Sequence, residues 1–328
     1  LKEAQIAEAV EDPSVRVVET AILPIEPISP RPVRNLGLAG VLGLMLGVGL
    51  AFLREFMDTR LHSSDEIEVM FGLPTMARIP ALGIDNGSGR HARALVTLDG
   101  DHSVGAESFR NLRTNVRFVR EGEGASEMVI TSPGPEEGKS ITSANLAITL
   151  AQQGHRTLLI DADMRRPVQQ DQFGIDRAPG LSDLLVGDGE AAEAVRSTKV
   201  ENLFVLPAGK SPPNPAELLG SPRMERLLER LREKFESVVI DSPPALAVTD
   251  AAVIGAHTDG VILVVRAEKT HRDSITLAIR QLRQARADLL GVVVNDAKAD
   301  GMYYSYYRKY YGEREQPGLR GLLQRFGG

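Results

Sequence analysis

One eight-residue stretch of this chain has the residue types and the spacing of a phosphate-binding loop. The stretch is PGPEEGKS, residues 133–140, and it lies between an apolar run and a segment of helical character. In a strand–loop–helix unit, backbone N–H groups and the helix N-terminus together hold phosphate oxygens. Lys139 would then reach the outer phosphates, and Ser140 would bind Mg²⁺. The stretch favours a nucleotide site over a glycine-containing surface turn.

The loop departs from the strict G-x-x-x-x-G-K-S pattern at its first position. Pro133 stands where that pattern has glycine, and a glycine follows one residue later. The residues expected to contact the nucleotide are Gly134, Pro135, Glu136, Glu137, Gly138, Lys139, Ser140 and Ile141.

Three aspartates end later apolar runs. Asp161 and Asp163 close TLLIDAD, and Asp241 closes SVVID. The carboxyl ends of parallel strands meet at one sheet edge, where the loop also opens. A carboxylate there can hold Mg²⁺, and another can accept a proton from an attacking hydroxyl. Each aspartate could instead cap the turn that follows it, but three of them after a GKS loop favour the nucleotide site.

Helix and strand patterns alternate around these residues. The apolar runs do not alternate with polar residues, which is typical of parallel strands covered on both faces. We predict a doubly wound, mostly parallel α/β domain of the P-loop NTPase type at residues 101–298. The predicted strands are 128–132, 157–163, 202–209, 237–244, 260–267 and 291–296. The predicted helices are 107–118, 140–153, 214–234 and 271–287.

Residues 36–53 contain no charged or strongly polar side chain. As a helix these 18 residues would span about 27 Å, near the thickness of a bilayer's hydrocarbon core. A buried helix of a soluble protein usually keeps a polar face over such a length. We predict a single transmembrane helix at residues 36–54. Gly43 and Gly47 form a GxxxG pair that would let a second helix approach closely.

The segments beside this helix have different characters. In residues 1–35, prolines recur at every third position from 24 to 30, which is typical of an extended polyproline II segment. Residues 55–100 are predicted to be a cytoplasmic connector with a helix ending at Gly72, a short strand near 74–80 and a polar loop at 84–93. Because the chain begins with Leu1, we expect it to be a fragment of a longer protein.

All tyrosines of the chain lie in one short segment near its C-terminus. This segment, within a tail predicted at residues 299–328, could pack as an aromatic patch or serve as a phosphorylation substrate. Ser305, Arg308 and Lys309 interrupt the aromatic run, so the substrate interpretation is favoured. The six expected phosphorylation sites are Tyr303, Tyr304, Tyr306, Tyr307, Tyr310 and Tyr311.

Composition narrows the function further. The net charge of −6 gives no indication of nucleic-acid binding. The absence of cysteine excludes disulfides, thiolate metal sites and a cysteine nucleophile.

Taken together, several motifs resemble the bacterial tyrosine kinases that are fused to, or partnered with, polysaccharide co-polymerases. The resemblance covers nearly the whole chain, with the Pro-rich start and the membrane helix similar to the end of a co-polymerase (chain length determinant) domain. The matching segments are 137–140, 158–167, 180–185, 206–219, 238–251 and the tyrosine tail. The resemblance implies that ATP and Mg²⁺ are cofactors and that Lys139, Asp161 and Asp163 have catalytic roles. Asp161 is the expected base, with little to separate it from Asp163, and the implied metal ligands are Ser140, Asp161 and Asp241.

The resemblance also implies a biological setting. The chain would be an autokinase of the bacterial inner membrane, with its kinase domain in the cytoplasm and residues 1–35 outside. It would phosphorylate its own tail in trans within a homo-oligomer and regulate polymerisation, chain length or export of a surface polysaccharide. Expected partners are the membrane, the polysaccharide polymerisation and export machinery and a tyrosine phosphatase.

A Glu-x-x-Arg-x-x-Arg helix joins subunits into a ring in that family. Here the pattern is Glu107, Arg110 and Arg113, which share one helical face. A solvated ion pair within the helix is the alternative.

Two rival functions remain open at this stage. The first rival is a membrane-associated ATPase of the partition or division type. Such ATPases usually carry an extra lysine five residues before the conserved one, and Gly134 at that position argues against this function. A structural co-polymerase subunit without catalysis is the second rival, because Glu136 replaces a glycine of the family pattern. Glutamate could restrict the backbone angles there and adds negative charge near the phosphates.

Overall fold

The computed structural model describes residues 31–57, 59–61, 65–82, 95–98, 103–119, 126–187 and 191–297. The chain divides into two compact units, one ending at Asp58 and the other beginning at Thr59. Each unit is described by itself.

The first unit contains one long apolar helix, α1 (Pro32–Met57). Proline at its first position fits because the first turn of a helix has no partner for that N–H. Between Pro32 and Arg54 the helix is long and apolar enough to cross a membrane, with a mean hydropathy of 2.3. The helix thus begins four residues before the predicted start at 36, and it continues past the predicted end at 54.

The second unit is built on an eight-stranded sheet whose strand order is β1-β8-β7-β2-β6-β3-β5-β4. Every strand pair is parallel except β4 with β5, so the predicted mostly parallel sheet is confirmed. Its strands are β1 (Thr75–Pro80), β2 (Glu127–Thr131), β3 (Thr157–Asp161), β4 (Arg196–Ser197), β5 (Leu203–Leu206), β6 (Ser237–Asp241), β7 (Gly260–Arg266) and β8 (Leu289–Ala297).

Ten helices of the described residues accompany these strands. They are α2 (Asp65–Phe71), α3 (Val104–Phe118), α4 (Lys139–Gln152), α5 (Gln169–Phe173), α6 (Leu181–Val186), α7 (Ala191–Ala194), α8 (Pro215–Leu219), α9 (Pro222–Arg232), α10 (Asp250–Gly255) and α11 (Arg272–Gln284).

The sheet is covered on both faces, as the continuous apolar strands predicted. One buried cluster joins side chains of α3 and α4 to the sheet, for example Phe109 and Leu146 with Ile130. A second cluster joins side chains of α9 and α11 to it, for example Leu228 and Ile275 with Val129. Neighbouring residues of β2 thus contribute to opposite clusters, which follows from the two-residue period of a strand.

Two predicted helices have different limits in the structure. The segment 214–234 is two helices, because Ser221 caps α9 by accepting a hydrogen bond from the Met224 amide and Pro222 occupies its first turn. Helix α3 begins at Val104 rather than at 107, because Ser103 caps it in the same way.

Part of the predicted connector belongs to the sheet. Strand β1 pairs in parallel with β8 at the sheet edge, and a Cβ on Gly291 of β8 would come within 2.6 Å of both Pro74 O and the Met76 side chain. The chain therefore joins this unit from Thr59, well before the expected boundary at 101. The predicted helix ending at Gly72 is observed as α2, whereas the loop at 84–93 lies outside the described residues.

Candidate nucleotide site

The phosphate-binding loop predicted at 133–140 connects β2 to α4. Gly138 has φ of +95°, a conformation that favours glycine, and a Cβ at this position would collide with the Asn295 side chain. The Asn295 amide donates to the Glu137 carbonyl at 3.0 Å. Helix α4 then begins at Lys139 without a side-chain cap, so its first N–H groups are available to an anion.

Glu136 adopts the backbone conformation that glycine would provide. Its φ is +60°, in the left-handed region. Its carbonyl accepts a hydrogen bond from Arg266. Its side chain is 84% exposed, and its carboxylate lies 3.3 Å from Lys269 Nζ. The backbone angles that glutamate was expected to restrict are therefore present, and a lysine lies beside the added charge.

Glu137 shapes the loop from within. Its buried carboxylate accepts hydrogen bonds from the Gly134 amide at 3.0 Å and from the Thr270 hydroxyl at 2.7 Å. Burial raises the pKa of Glu137, while these two hydrogen bonds act in the opposite direction. The structure thus ties the loop to the turn after β7 through this carboxylate.

Lys139 is held between two buried aspartates. Its Nζ lies 2.9 Å from Asp163 Oδ2 and 3.5 Å from Asp241 Oδ1, and the lysine side chain is only 12% exposed. Nζ also donates to Ser140 Oγ at 3.1 Å. Burial by itself would lower the pKa of Lys139, but Asp241 and Asp163 outweigh it, and the pKa is raised. The lysine is therefore a charged ammonium at the carboxyl edge of the sheet.

Asp161 organises the segment that follows β3. Its carboxylate accepts hydrogen bonds from the backbone amides of Asp163 at 3.1 Å and of Val168 and Gln169 at 3.0 Å each. Burial, followed by the nearby Asp241, raises the pKa of Asp161 to about 8. The hydrogen bond from the Gln169 amide opposes this rise in pKa. The three amide hydrogen bonds together fix the loop that carries Asp163.

Gln169, Thr270 and Asn295 were missed by sequence reasoning. Gln169 is fully buried, and its amide donates to Asp241 Oδ2 at 2.8 Å and to the Ser140 carbonyl at 3.1 Å. No sequence signal marks these three residues, because each lies in a different segment and is of an ordinary type.

The acidic side chains suit a magnesium site that nucleotide phosphates complete. Among the described residues, no group of three His, Asp or Glu side chains could hold a metal ion by itself. Mg²⁺ is usually held in nucleotide sites by one or two protein ligands together with phosphates and water. Ser140, Asp161 and Asp241 carry the oxygen ligands that this ion prefers, and the two aspartates are fully buried and close enough for their charges to interact.

The other predicted site residues lie elsewhere. On α3, Arg110 pairs with Glu107 at 2.9 Å, and both are partly exposed. Arg113 donates to the Thr149 carbonyl of α4 at 3.1 Å, so it stabilises packing within the chain. The tyrosine cluster lies outside the described residues.

The fold and the site together define a P-loop nucleotide-binding protein. The family model of an AAA domain matches residues 136–290, and that of a G-rich domain matches residues 1–56. The tyrosine-protein kinase YwqD of Bacillus subtilis (strain 168) is 37% identical over 223 residues, which cover 68% of this chain and 94% of that protein. This chain belongs to the family of bacterial tyrosine-protein kinases.

Other relatives agree with this assignment. The tyrosine-protein kinase ptk of Acinetobacter johnsonii is 36% identical over 308 residues, which cover 92% of this chain and 42% of that protein. The chain therefore spans less than half of that relative's length. The BceF tyrosine kinase domain matches 73% of this chain and all of its own, with a TM-score of 0.67 and 39% identity. The kinase domain of Escherichia coli tyrosine kinase ETK matches 71% of this chain and 94% of its own, with a TM-score of 0.65 and 31% identity.

The structure predicts that the charge of Glu136 has little influence on nucleotide binding. Glu136→Gly and Glu136→Gln should each change the Kd for Mg·ATP by less than about threefold, because an exposed, paired carboxylate is largely screened. Isothermal titration calorimetry measures these constants. The glutamine variant removes only the charge, whereas the glycine variant also relieves the left-handed backbone. A tenfold gain in affinity for Mg·ATP in both variants would contradict the prediction and would show that the carboxylate repels the nucleotide directly.

Proposed function

We propose that this chain is an ATP-dependent protein-tyrosine autokinase that phosphorylates its own C-terminal tyrosine cluster. The observation that supports this most strongly is the geometry around Lys139. A charged lysine, a hydroxyl and three aspartates converge where the phosphate-binding loop opens into α4. Family membership supports tyrosine as the acceptor.

In this proposal Lys139 changes partners when nucleotide binds. Its ammonium moves from Asp163 and Asp241 to the outer phosphates, while the loop amides and the N-terminus of α4 bind the remaining oxygens. Mg²⁺, held by Ser140, Asp161 and Asp241, would neutralise charge that develops on the phosphates. The buried aspartates then keep a cation beside them in both states.

Asp163 is better placed than Asp161 to receive the tyrosine proton. A carboxylate has about four acceptor positions, and three of those of Asp161 are taken by backbone amides. Asp163 accepts from the Arg166 amide and from Lys139, and the lysine departs in the proposed step. Asp161 was the expected base, with little in the sequence to separate it from Asp163, and the hydrogen bonds around the two carboxylates support Asp163.

The acceptor tyrosines would come from a second subunit. Glu107 and Arg110 are partly exposed on α3 and can contact another copy of the chain, which supports a homo-oligomer in which a tail reaches a neighbouring site. Each added phosphate would place about −1.5 to −2 charges on the tail, which would weaken its return to an acidic site.

The membrane helix gives the kinase its proposed location. We infer that α1 spans the bacterial inner membrane, that the nucleotide site is cytoplasmic because it needs ATP, and that the N-terminal segment lies outside. Tail phosphorylation would then regulate polymerisation, chain length or export of a surface polysaccharide, together with the export machinery and a tyrosine phosphatase.

A catalytically weak structural subunit is the second candidate. Its support is Glu136 in place of glycine. Against it, the loop keeps the positive φ that glycine would provide at Glu136, and the exposed Glu136 carboxylate lies beside Lys269, which weakens both the steric and the electrostatic argument for inactivity. The kinase is therefore the preferred function.

Lys139 is expected to be essential for tail phosphorylation. Incubation of the purified protein with Mg·ATP, followed by immunoblotting, should give a phosphotyrosine signal that disappears in Lys139→Met. The loss should exceed about 100-fold, because the charge on the transferred phosphoryl group would lose its stabilising ammonium. Replacement of all six tyrosines by Phe should remove the signal while nucleotide binding persists. ADP release with no tail modification would instead identify an ATPase.

Replacement of the two arginines of α3 should separate assembly from folding. Arg110→Ala should shrink the detergent-solubilised assembly in size-exclusion chromatography and slow tail phosphorylation, with little loss of stability. Arg113→Ala should also lower the free energy of unfolding, by about 1–2 kcal/mol, because it removes a hydrogen bond to Thr149. An Arg110→Ala assembly of unchanged size would rule out this interface.

A further inference from the structure

A second charged pair lies next to the nucleotide site and has no role in the account above. It consists of Arg165, two residues after Asp163, and Asp250, the first residue of α10. Arg165 Nε and Asp250 Oδ2 are 3.6 Å apart. This distance is longer than that of an ordinary hydrogen bond, so the attraction between the two opposite charges is the main interaction of the pair.

Asp250 is buried without the partners that a buried carboxylate normally requires. Its side chain has no exposed surface. Among the described residues, neither of its oxygens accepts a hydrogen bond. Burial raises the pKa of Asp250, and Arg165 is the largest influence in the opposite direction. Burial of such a group is costly, and orienting a nearby cation is a function that would justify the cost.

The backbone around Arg165 is fixed in relation to the phosphate-binding loop. On one side, the carbonyl of Met164 accepts a hydrogen bond from Ser211 at 3.3 Å. On the other side, the amide of Arg166 donates to Asp163 at 3.0 Å. Asp163 in turn binds Lys139. The segment that carries Arg165 is thus positioned by the same carboxylate that holds the phosphate-binding lysine.

Arg165 also has the exposure that a ligand-binding arginine needs, since 42% of its side chain is accessible. A guanidinium carries five N–H donors in a planar fork that suits phosphate oxygens. Phosphoryl transfer depends mainly on electrostatic stabilisation of the transferred group, and an arginine within the same chain can supply it.

We propose that Arg165 binds the terminal phosphoryl group of the nucleotide and that Asp250 is the positioning residue for its guanidinium. Asp250 restricts the arginine side chain before the nucleotide arrives, so less side-chain entropy is lost on binding. The proposal rests on nucleotide binding, which is the first step of the proposed function, and it does not depend on tyrosine as the acceptor.

The test compares nucleotides that differ only in the terminal phosphate. Calorimetry with Mg²⁺ would measure the Kd of ADP and of a non-hydrolysable ATP analogue for the wild type, Arg165→Ala, Asp250→Asn and the double variant. Arg165→Ala should weaken binding of the ATP analogue by about tenfold or more and that of ADP by less than about twofold. Arg165→Lys should restore part of the difference, and Arg166→Ala, a change in the exposed neighbouring arginine, should leave both constants unchanged.

Asp250→Asn should weaken binding of the ATP analogue more than binding of ADP, and by a smaller factor than Arg165→Ala does. The double variant should match Arg165→Ala alone, because a positioning residue has no effect once the side chain that it positions is gone. If Arg165→Ala weakened binding of ADP and of the ATP analogue equally, the proposed role of Arg165 would be overturned. If the effects of the two substitutions added up in the double variant, the proposed role of Asp250 would be overturned. Failure of tail phosphorylation in the wild type would contradict the proposed kinase function but not this inference, since binding constants carry the test.

Discussion

The contact between the Lys139 ammonium and the buried carboxylates of Asp163 and Asp241 is the interaction on which the site depends. Three buried aspartates lie at or just after the carboxyl ends of β3 and β6. Burial disfavours the charged form of these carboxylates and their charges repel one another, and for both reasons, burial first and Asp241 second, the pKa of Asp161 is raised. A cation must offset this repulsion, and in the described residues the lysine of the phosphate-binding loop does so.

This constraint explains why the loop is fixed by residues that do not bind phosphate. In the proposed function the lysine contacts the aspartates before nucleotide binds and the outer phosphates afterwards, which requires its backbone to stay in place. Glu137 secures the loop through Thr270, and Asn295 secures it through the Glu137 carbonyl. Gln169 holds Asp241 and the Ser140 carbonyl together. These contacts come from the turn after β7, from β8 and from α5, so the whole carboxyl edge of the sheet takes part in positioning one ammonium group.

Much of this arrangement could be predicted from the sequence, and the reason is geometric. Parallel strands place their carboxyl ends at one edge, so residues 161, 163 and 241 had to lie near the loop once the strands were recognised. The predicted helices and strands differ from the observed ones mainly at their ends, which depend on single capping residues such as Ser103 and Ser221. The short elements α5, α6, α7, α10 and β4 were not predicted. The long apolar helix α1 was evident from composition, although its ends were not.

The remainder depended on contacts between distant segments, which leave no local pattern. Gln169 and Thr270 are ordinary polar residues until the fold places them beside Asp241 and Glu137. The pairing of Glu136 with Lys269 could not be predicted either, because it links residues 133 positions apart. Strand β1 was assigned to a connector because a short edge strand has little periodicity, and only its pairing with β8 reveals its place.

The most direct test of the central claim is the free energy of unfolding of Lys139→Met, measured in urea without nucleotide at pH 7. If the lysine is the counter-ion of buried carboxylates, its loss should lower that free energy by about 3–5 kcal/mol. A variant that also carries Asp163→Asn and Asp241→Asn should regain most of the loss, because the repelling charges are gone. A Lys139→Met protein as stable as the wild type, or a triple variant less stable than Lys139→Met, would contradict the account.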